Sequence, residues 1–143
     1  MGEIWIAGPS VPEGYWRDVP DSAAAFGARL AAEPARAYLR TGDLGFLHNG
    51  EVFLTGRRKD LIIIGGRNLY PQDLERTAEE AHPAVRPGCV AAFAVEAEGG
   101  EAVVIVAEAR KESAPQQLEA ALVAIREAVA QAHEVAPLRV LLL

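Results

Sequence analysis

The chain has 143 residues, half of them hydrophobic and 24% charged, with a formal net charge of −6. That length holds one ordinary domain, or one small domain plus a piece of another, and the composition is globular rather than disordered. With no basic run longer than Arg57-Arg58-Lys59, neither nucleic acid nor an anionic membrane surface is expected as the main partner. Cys89 stands alone, which excludes a disulfide framework or a thiolate metal site and makes a reducing, cytoplasmic setting the expectation. Glu3 interrupts any leader-like start, and no apolar run approaches the roughly 18 residues of a membrane span.

In chain order, Ile4-Trp5-Ile6 predicts a strand closed by the Gly8-Pro9 turn, and a Gly/Pro-rich loop with two aromatics follows to Trp16. Pro20-Asp21-Ser22 can cap a short helix, with an extended stretch over Phe26 to Leu30. Tyr38-Leu39-Arg40 leads to a turn at Thr41-Gly42-Asp43, then a hairpin whose arms, Leu44 to Leu47 and Glu51 to Thr55, flank Asn49-Gly50. A charged joint, Arg57 to Asp60, precedes the apolar strand Leu61 to Ile64, a glycine turn, and a helix entered through Tyr70-Pro71.

That helix is expected over Gln72 to His82, and Val85 to Gly88 reads as a loop. Strands Cys89 to Val95 and Ala102 to Glu108 form a second hairpin. A helix from Pro115 to about Glu134 carries the stripe Leu118, Ala121, Leu122, Ile125, Val129 and Ala132, and a last strand begins at Leu138. From Asp60 the order is β-α-β-β-α-β, an α+β sandwich. Both chain ends look cut within elements rather than finished.

Each candidate for chemistry has a plainer alternative. Asp43 is either a turn aspartate bonding its own backbone or a carboxylate that accepts from vicinal hydroxyls of a ligand. Arg57 is either part of a solvated charged loop or a guanidinium brought to Asp43 by one hairpin. Gly65-Gly66-Arg67 lacks the spacing of a phosphate loop or a dinucleotide fingerprint. His48, His82 and His133 have no metal-ligand spacing, Ser10 and Ser22 no nucleophile context, and Cys89 sits in a core-like run. No catalytic residue and no metal-ligand set are expected within the chain.

Taken as a string, the residues say more. Gly2-Glu3-Ile4-Trp5-Ile6 through Gly14-Tyr15-Trp16, then Tyr38-Leu39-Arg40-Thr41-Gly42-Asp43-Leu44, then Gly56-Arg57 through Asp60, occur in the order found in adenylate-forming enzymes. This superfamily comprises acyl-CoA synthetases, luciferases and peptide-synthetase adenylation domains. The runs Arg67-Asn68-Leu69-Tyr70-Pro71-Gln72-Asp73-Leu74-Glu75 and Glu79 to Gly88 most resemble fatty acyl-AMP ligases.

The resemblance implies a β-hairpin remnant of a large adenylating domain over residues 1–58 and a small, mobile C-terminal domain over 59–143. It implies that Asp43 and Arg57 contact the ribose of ATP or AMP, that Lys59 and Asp60 form the hinge, and that Gly65, Gly66 and Arg67 face a carrier's phosphopantetheine. Gly65 and Leu69 differ from residues common at those positions, which bears on carrier contacts. In the implied reaction a fatty acid attacks the α-phosphorus of ATP, giving acyl-AMP and pyrophosphate, and the acyl group passes to an acyl carrier protein. Mg²⁺ and a lysine expected after Leu143 would stabilise the developing charge, so the fragment alone is expected to be inactive and to bind no nucleotide tightly. Expected partners are fatty acid, ATP, the carrier protein and the missing N-terminal domain, in a setting of lipid or polyketide synthesis. Two other readings stay open: a fragment of an acyl-CoA ligase, and a non-catalytic module that docks a carrier protein.

Overall fold

The apolar run near the start forms strand β1 (Gly2–Ile6), and the next ordered segment is helix α1 (Val19–Phe26). Asp18 caps that helix, its Oδ1 accepting from Asp21 N at 3.1 Å, so the helix begins slightly before the Pro20-Asp21-Ser22 start read from the sequence. Only Ala28–Leu30 of the expected extended stretch is a strand, β2. Strands β3 (Glu33–His48) and β4 (Glu51–Arg57) complete an antiparallel sheet in the order β1-β3-β2, with β4 on β3. Asn49-Gly50, both at positive φ, close the β3–β4 hairpin as expected.

The expected turn at Thr41-Gly42-Asp43 is corrected by the structure, a computed structural model that describes all 143 residues. These residues lie inside the 16-residue strand β3 as a bulge. Glu3 pairs with Leu44 and Trp5 with Arg40, so β1 spends one residue, Ile4, where β3 spends three. Gly42 takes φ +75°, which lets the extra residues loop out without ending the strand. The hydroxyl of Thr41 replaces lost ladder bonds, donating to Ile4 O at 2.8 Å and accepting from Asp43 N at 3.0 Å.

A 3₁₀ turn spans Arg58–Asp60. The chain divides into two compact units, Met1–Lys59 and Asp60–Leu143. In the second, β5 (Ile62–Ile64) turns back through Gly65-Gly66 into β6 (Arg67–Leu69), a short strand that the sequence reading lacks. Helix α2 (Pro71–Glu80) follows, with its proline in the first turn. Strands β7 (Val85–Ala97) and β8 (Gly100–Ala109) pair antiparallel, helix α3 (Pro115–His133) crosses, and β9 (Arg139–Leu142) joins β8 in parallel. The α+β class and the sequence of helices and longer strands stand.

Val85 to Gly88, read as a loop, instead begins β7. Val85 pairs with Ala109 and Val90 with Ala107, and the surplus residues form a bulge with Gly88 at φ +71°. Glu79 Oε2 holds that bulge by accepting from Gly88 N at 2.6 Å.

The core of the second unit joins Ile62, Leu69, Leu74, Ala78, Val103, Ile105, Ile125, Val129 and Val140. On α3 the stripe Ala121, Ile125 and Val129 is buried, whereas Ala132 lies exposed. Leu69 is a core residue and anchors β6. Cys89 is free and half-buried at the β7 bulge, outside the core where the sequence places it. In the first unit Gly45 alone is buried, and apolar side chains such as Phe46, Leu47, Phe53 and Leu54 stay exposed.

Candidate functional site

Asp43 and Arg57, fourteen residues apart, stand opposite each other on β3 and β4. Arg57 Nε donates to Asp43 Oδ1 at 3.2 Å. The pairing is a product of the Asn49-Gly50 hairpin, which sets the register, and it forms the last rung of the β3–β4 ladder, where the bulge in β3 begins. Both side chains keep access to solvent, 31% for Asp43 and 59% for Arg57, so the pair is open to a third polar group. A surface ion pair of this exposure contributes little to stability. Its use lies in geometry: one fixed acceptor and one planar donor side by side suit a vicinal diol, whose hydroxyls both donate and accept.

Next to the pair is a cavity of about 500 Å³ lined by Thr41, Gly42, Arg57, Arg58 and Lys59. Three of its five lining residues are cations, which favours an anionic or phosphorylated occupant. Arg58 does not double Arg57's role. Its Nη1 lies 3.8 Å from Glu3 Oε2, so the two neighbouring arginines are divided between two carboxylates. Lys59 lines the cavity, and Asp60, at the end of the 3₁₀ turn, is exposed.

Gly65 and Gly66 form the β5–β6 turn at φ +58° and +79°, and both are exposed. Arg67 follows them and donates from Nη1 to Glu134 Oε2 at 2.8 Å, at the C-terminal end of α3.

The remaining candidates have structural partners. His82 Nδ1 accepts from Ala84 N at 3.1 Å, and His133 Nε2 lies 2.8 Å from Thr77 Oγ1. Ser22 Oγ accepts from Tyr15 N at 2.8 Å and donates to Asp18 O, which fastens the loop before α1. His48 Nε2 is within 3.2 Å of Asn49 Nδ2 in the hairpin turn.

Sequence reasoning missed Glu3 and Arg40. Glu3 Oε2 accepts from Trp5 Nε1 at 3.0 Å and from Arg40 Nε and Nη2 at 3.1 and 3.0 Å. Glu3 and Trp5 share one face of β1 at two-residue spacing, and that acid beside an aromatic on an otherwise apolar strand was the available signal. The bonds from Trp5 and then Arg40 outweigh partial burial and hold the Glu3 carboxyl below the usual carboxylate range.

No sequence-family profile matches the chain. It is 45% identical over 135 residues to the medium-chain-fatty-acid–[acyl-carrier-protein] ligase JamA of Moorena producens, covering 94% of this chain and 23% of that protein. Its fold is similar to a fatty acyl-adenylate ligase structure from a study of the Escherichia coli and Legionella pneumophila enzymes, with a TM-score of 0.77 and 36% identity over 99% of this chain and 23% of that one. The McyG adenylation–carrier structure complexed with phenylalanyl-adenylate gives a TM-score of 0.81 at 33% identity, again over 99% of this chain, and 24% of that one. The chain thus spans about a quarter of the length of these proteins. It belongs to the adenylate-forming superfamily and corresponds to a C-terminal part of its fatty-acid-activating members.

Proposed function

We propose that this chain is the C-terminal portion of a fatty acyl-AMP ligase, in which Asp43 and Arg57 hold the ribose hydroxyls of ATP and of the acyl-adenylate. The observation that carries the reading is the Asp43–Arg57 pair, 3.2 Å apart and open to solvent, beside a cavity lined by Arg57, Arg58 and Lys59. Asp43 accepts from a ribose hydroxyl and Arg57 donates to one, which fixes the sugar and hence the direction in which the phosphates leave it. That is positioning, not bond-making. Residues 1–58 then belong to the large adenylating domain and 59–143 to the mobile one, with Lys59 and Asp60 as the pivot. Gly65, Gly66 and Arg67 take the carrier's pantetheine side.

Mg²⁺, in the full-length enzyme, supplies charge neutralisation at the phosphates. The residues described here do not fit it, since no three His, Cys, Asp or Glu side chains come together, and no step is assigned to the metal through them. The name of the relative JamA supports fatty acid as substrate and an acyl carrier protein as acceptor, and the fatty acyl-adenylate ligase structure supports the fatty acid. A second reading, a carrier-docking module in Asp60–Leu143, is favoured by the self-contained core of that unit.

The test places this chain in the corresponding segment of the Moorena ligase and measures fatty-acid-dependent ATP–pyrophosphate exchange. The chimera retains exchange. Asp43→Asn and Arg57→Ala each raise KM for ATP roughly 10- to 100-fold, the worth of a charge-assisted hydrogen bond. An unchanged KM in both variants would rule out the ribose assignment.

A further inference from the structure

Glu3 is the only charged residue of β1. Its side chain is 15% exposed, against 36% for Arg40 and 63% for Arg58, the two guanidiniums around it. Arg40 also lies over the Trp5 ring, 5.8 Å from its centroid, so Trp5 and Glu3 together grip one arginine.

The place of this grip in the sheet matters. The Glu3 backbone is opposite Leu44, on the far side of the Thr41–Asp43 bulge, while its carboxylate binds Arg40, on the near side. The side chain therefore spans the bulge from rung to rung. Three residues facing one have lost ladder hydrogen bonds, and a Gly42 at φ +75° contributes no side chain of its own to hold the shape. Thr41 fastens one end through Ile4 O at 2.8 Å.

A second consequence concerns charge. Arg57 and Arg58 are adjacent, and Asp43 is paired with the first only. Glu3 draws Arg58 to within 3.8 Å and so keeps it from competing for Asp43.

We infer that Glu3 is a positioning residue: its carboxylate closes the Thr41–Asp43 bulge and holds Arg58 away, and so fixes Asp43 against Arg57. The effect on a ligand rests on the ribose reading above, while the effect on the bulge does not.

Amide hydrogen exchange by NMR on the 143-residue chain tests the bulge directly. In Glu3→Gln, which keeps the size and removes the charge, exchange at Gly42 and Asp43 rises on the order of tenfold, as in a local opening, while Val52 and Phe53 keep their rates. Unchanged rates at Gly42 and Asp43 would overturn the inference, and so would a rise across the whole sheet, which would make Glu3 a general fold residue. The ligand arm titrates AMP and 2′,3′-dideoxy-AMP into the Moorena-ligase chimera that carries this chain. Glu3→Gln lowers the preference for AMP by roughly three- to tenfold. Glu3→Gln combined with Arg58→Gln recovers it, because the competitor for Asp43 is gone. Failure of the double variant to recover overturns the charge-sorting role. A wild-type chimera with no preference for AMP defeats the ribose reading, and the exchange arm still decides on Glu3.

Discussion

Asp43 shows how a single residue can be read for its neighbourhood yet misread for its backbone. The short strings Thr41-Gly42-Asp43 and Gly56-Arg57 mark two polar residues against glycines, and the hairpin signal between them brings the pair together in advance of any coordinates. Glu3 and Arg40 were not legible in that way. They are 37 residues apart, and only the β1–β3 pairing makes them partners. A charge on a strand looks like solvent exposure until the opposing strand is known. The Glu3 carboxyl also carries a pH signature. Its pKa is lowered in the fold from an ordinary value of 4.5, first by Trp5 and then by Arg40, so the charged form is the one that folding favours. Such a group contributes stability above its unfolded pKa, and the contribution is lost as pH falls through the lowered value. Tryptophan fluorescence of the chain and of its Trp16→Phe variant, which leaves Trp5 as reporter, is expected to show this loss below pH 4.5 when the pH is lowered from about 7 to about 3. Glu3→Gln flattens that part of the profile. An identical acid slope in both proteins would assign the loss to other carboxylates.

At the scale of elements, hydrophobic period placed α2, α3 and the β7–β8 hairpin, because each buries a stripe or a face against the others. Bulges escaped it. Thr41–Asp43 and Arg86–Cys89 both carry turn-like residues, and in both cases pairing resumes beyond them, so the chain returns to the same strand rather than reversing. Strand β6 escaped for another reason: Arg67-Asn68-Leu69 has one apolar residue in three, and its pairing with β5 is set by the glycine turn. Two glycines of β3 separate the demands that an element makes. At Gly42 a Cβ meets nothing within 4 Å, so Gly42→Ala costs only the left-handed backbone, about 1–2 kcal/mol. At Gly45 a Cβ would lie 2.4 Å from Phe53 O, so Gly45→Ala must push β4 away from β3. Chemical denaturation is expected to rank Gly45→Ala as the more damaging, with Arg57 displaced from Asp43 as its accompaniment. Equal losses would show that the β3–β4 spacing yields more easily than its backbone contact implies.

For the whole molecule, the two units differ in what holds them. Asp60–Leu143 has a continuous buried core of twelve residues from Ile62 to Val140, drawn from its strands and both helices. Met1–Lys59 contributes no residue to the buried hydrophobic set and leaves Leu47 at 73%, Leu54 at 67% and Trp16 at 87% exposure. A sheet with apolar side chains open on it is short of a partner layer, since a stable β unit needs one face covered. The proposed large adenylating domain would supply that cover, which is why the family assignment and the packing point the same way. Expressed alone, residues 60–143 are expected to unfold in one cooperative transition and to give a dispersed amide spectrum, whereas residues 1–59 alone bind a hydrophobic dye and show no cooperative melt. The folded 60–143 piece also allows the docking reading to be weighed: titrated with a holo acyl carrier protein, it should show amide shifts centred on Gly65, Gly66 and Arg67. Shifts confined to other faces, or none at millimolar carrier, would remove those three residues from the carrier's path. A cooperative melt for residues 1–59 would show that the sheet around Asp43 and Arg57 needs no covering layer, and the case for a missing partner domain would lose its physical support.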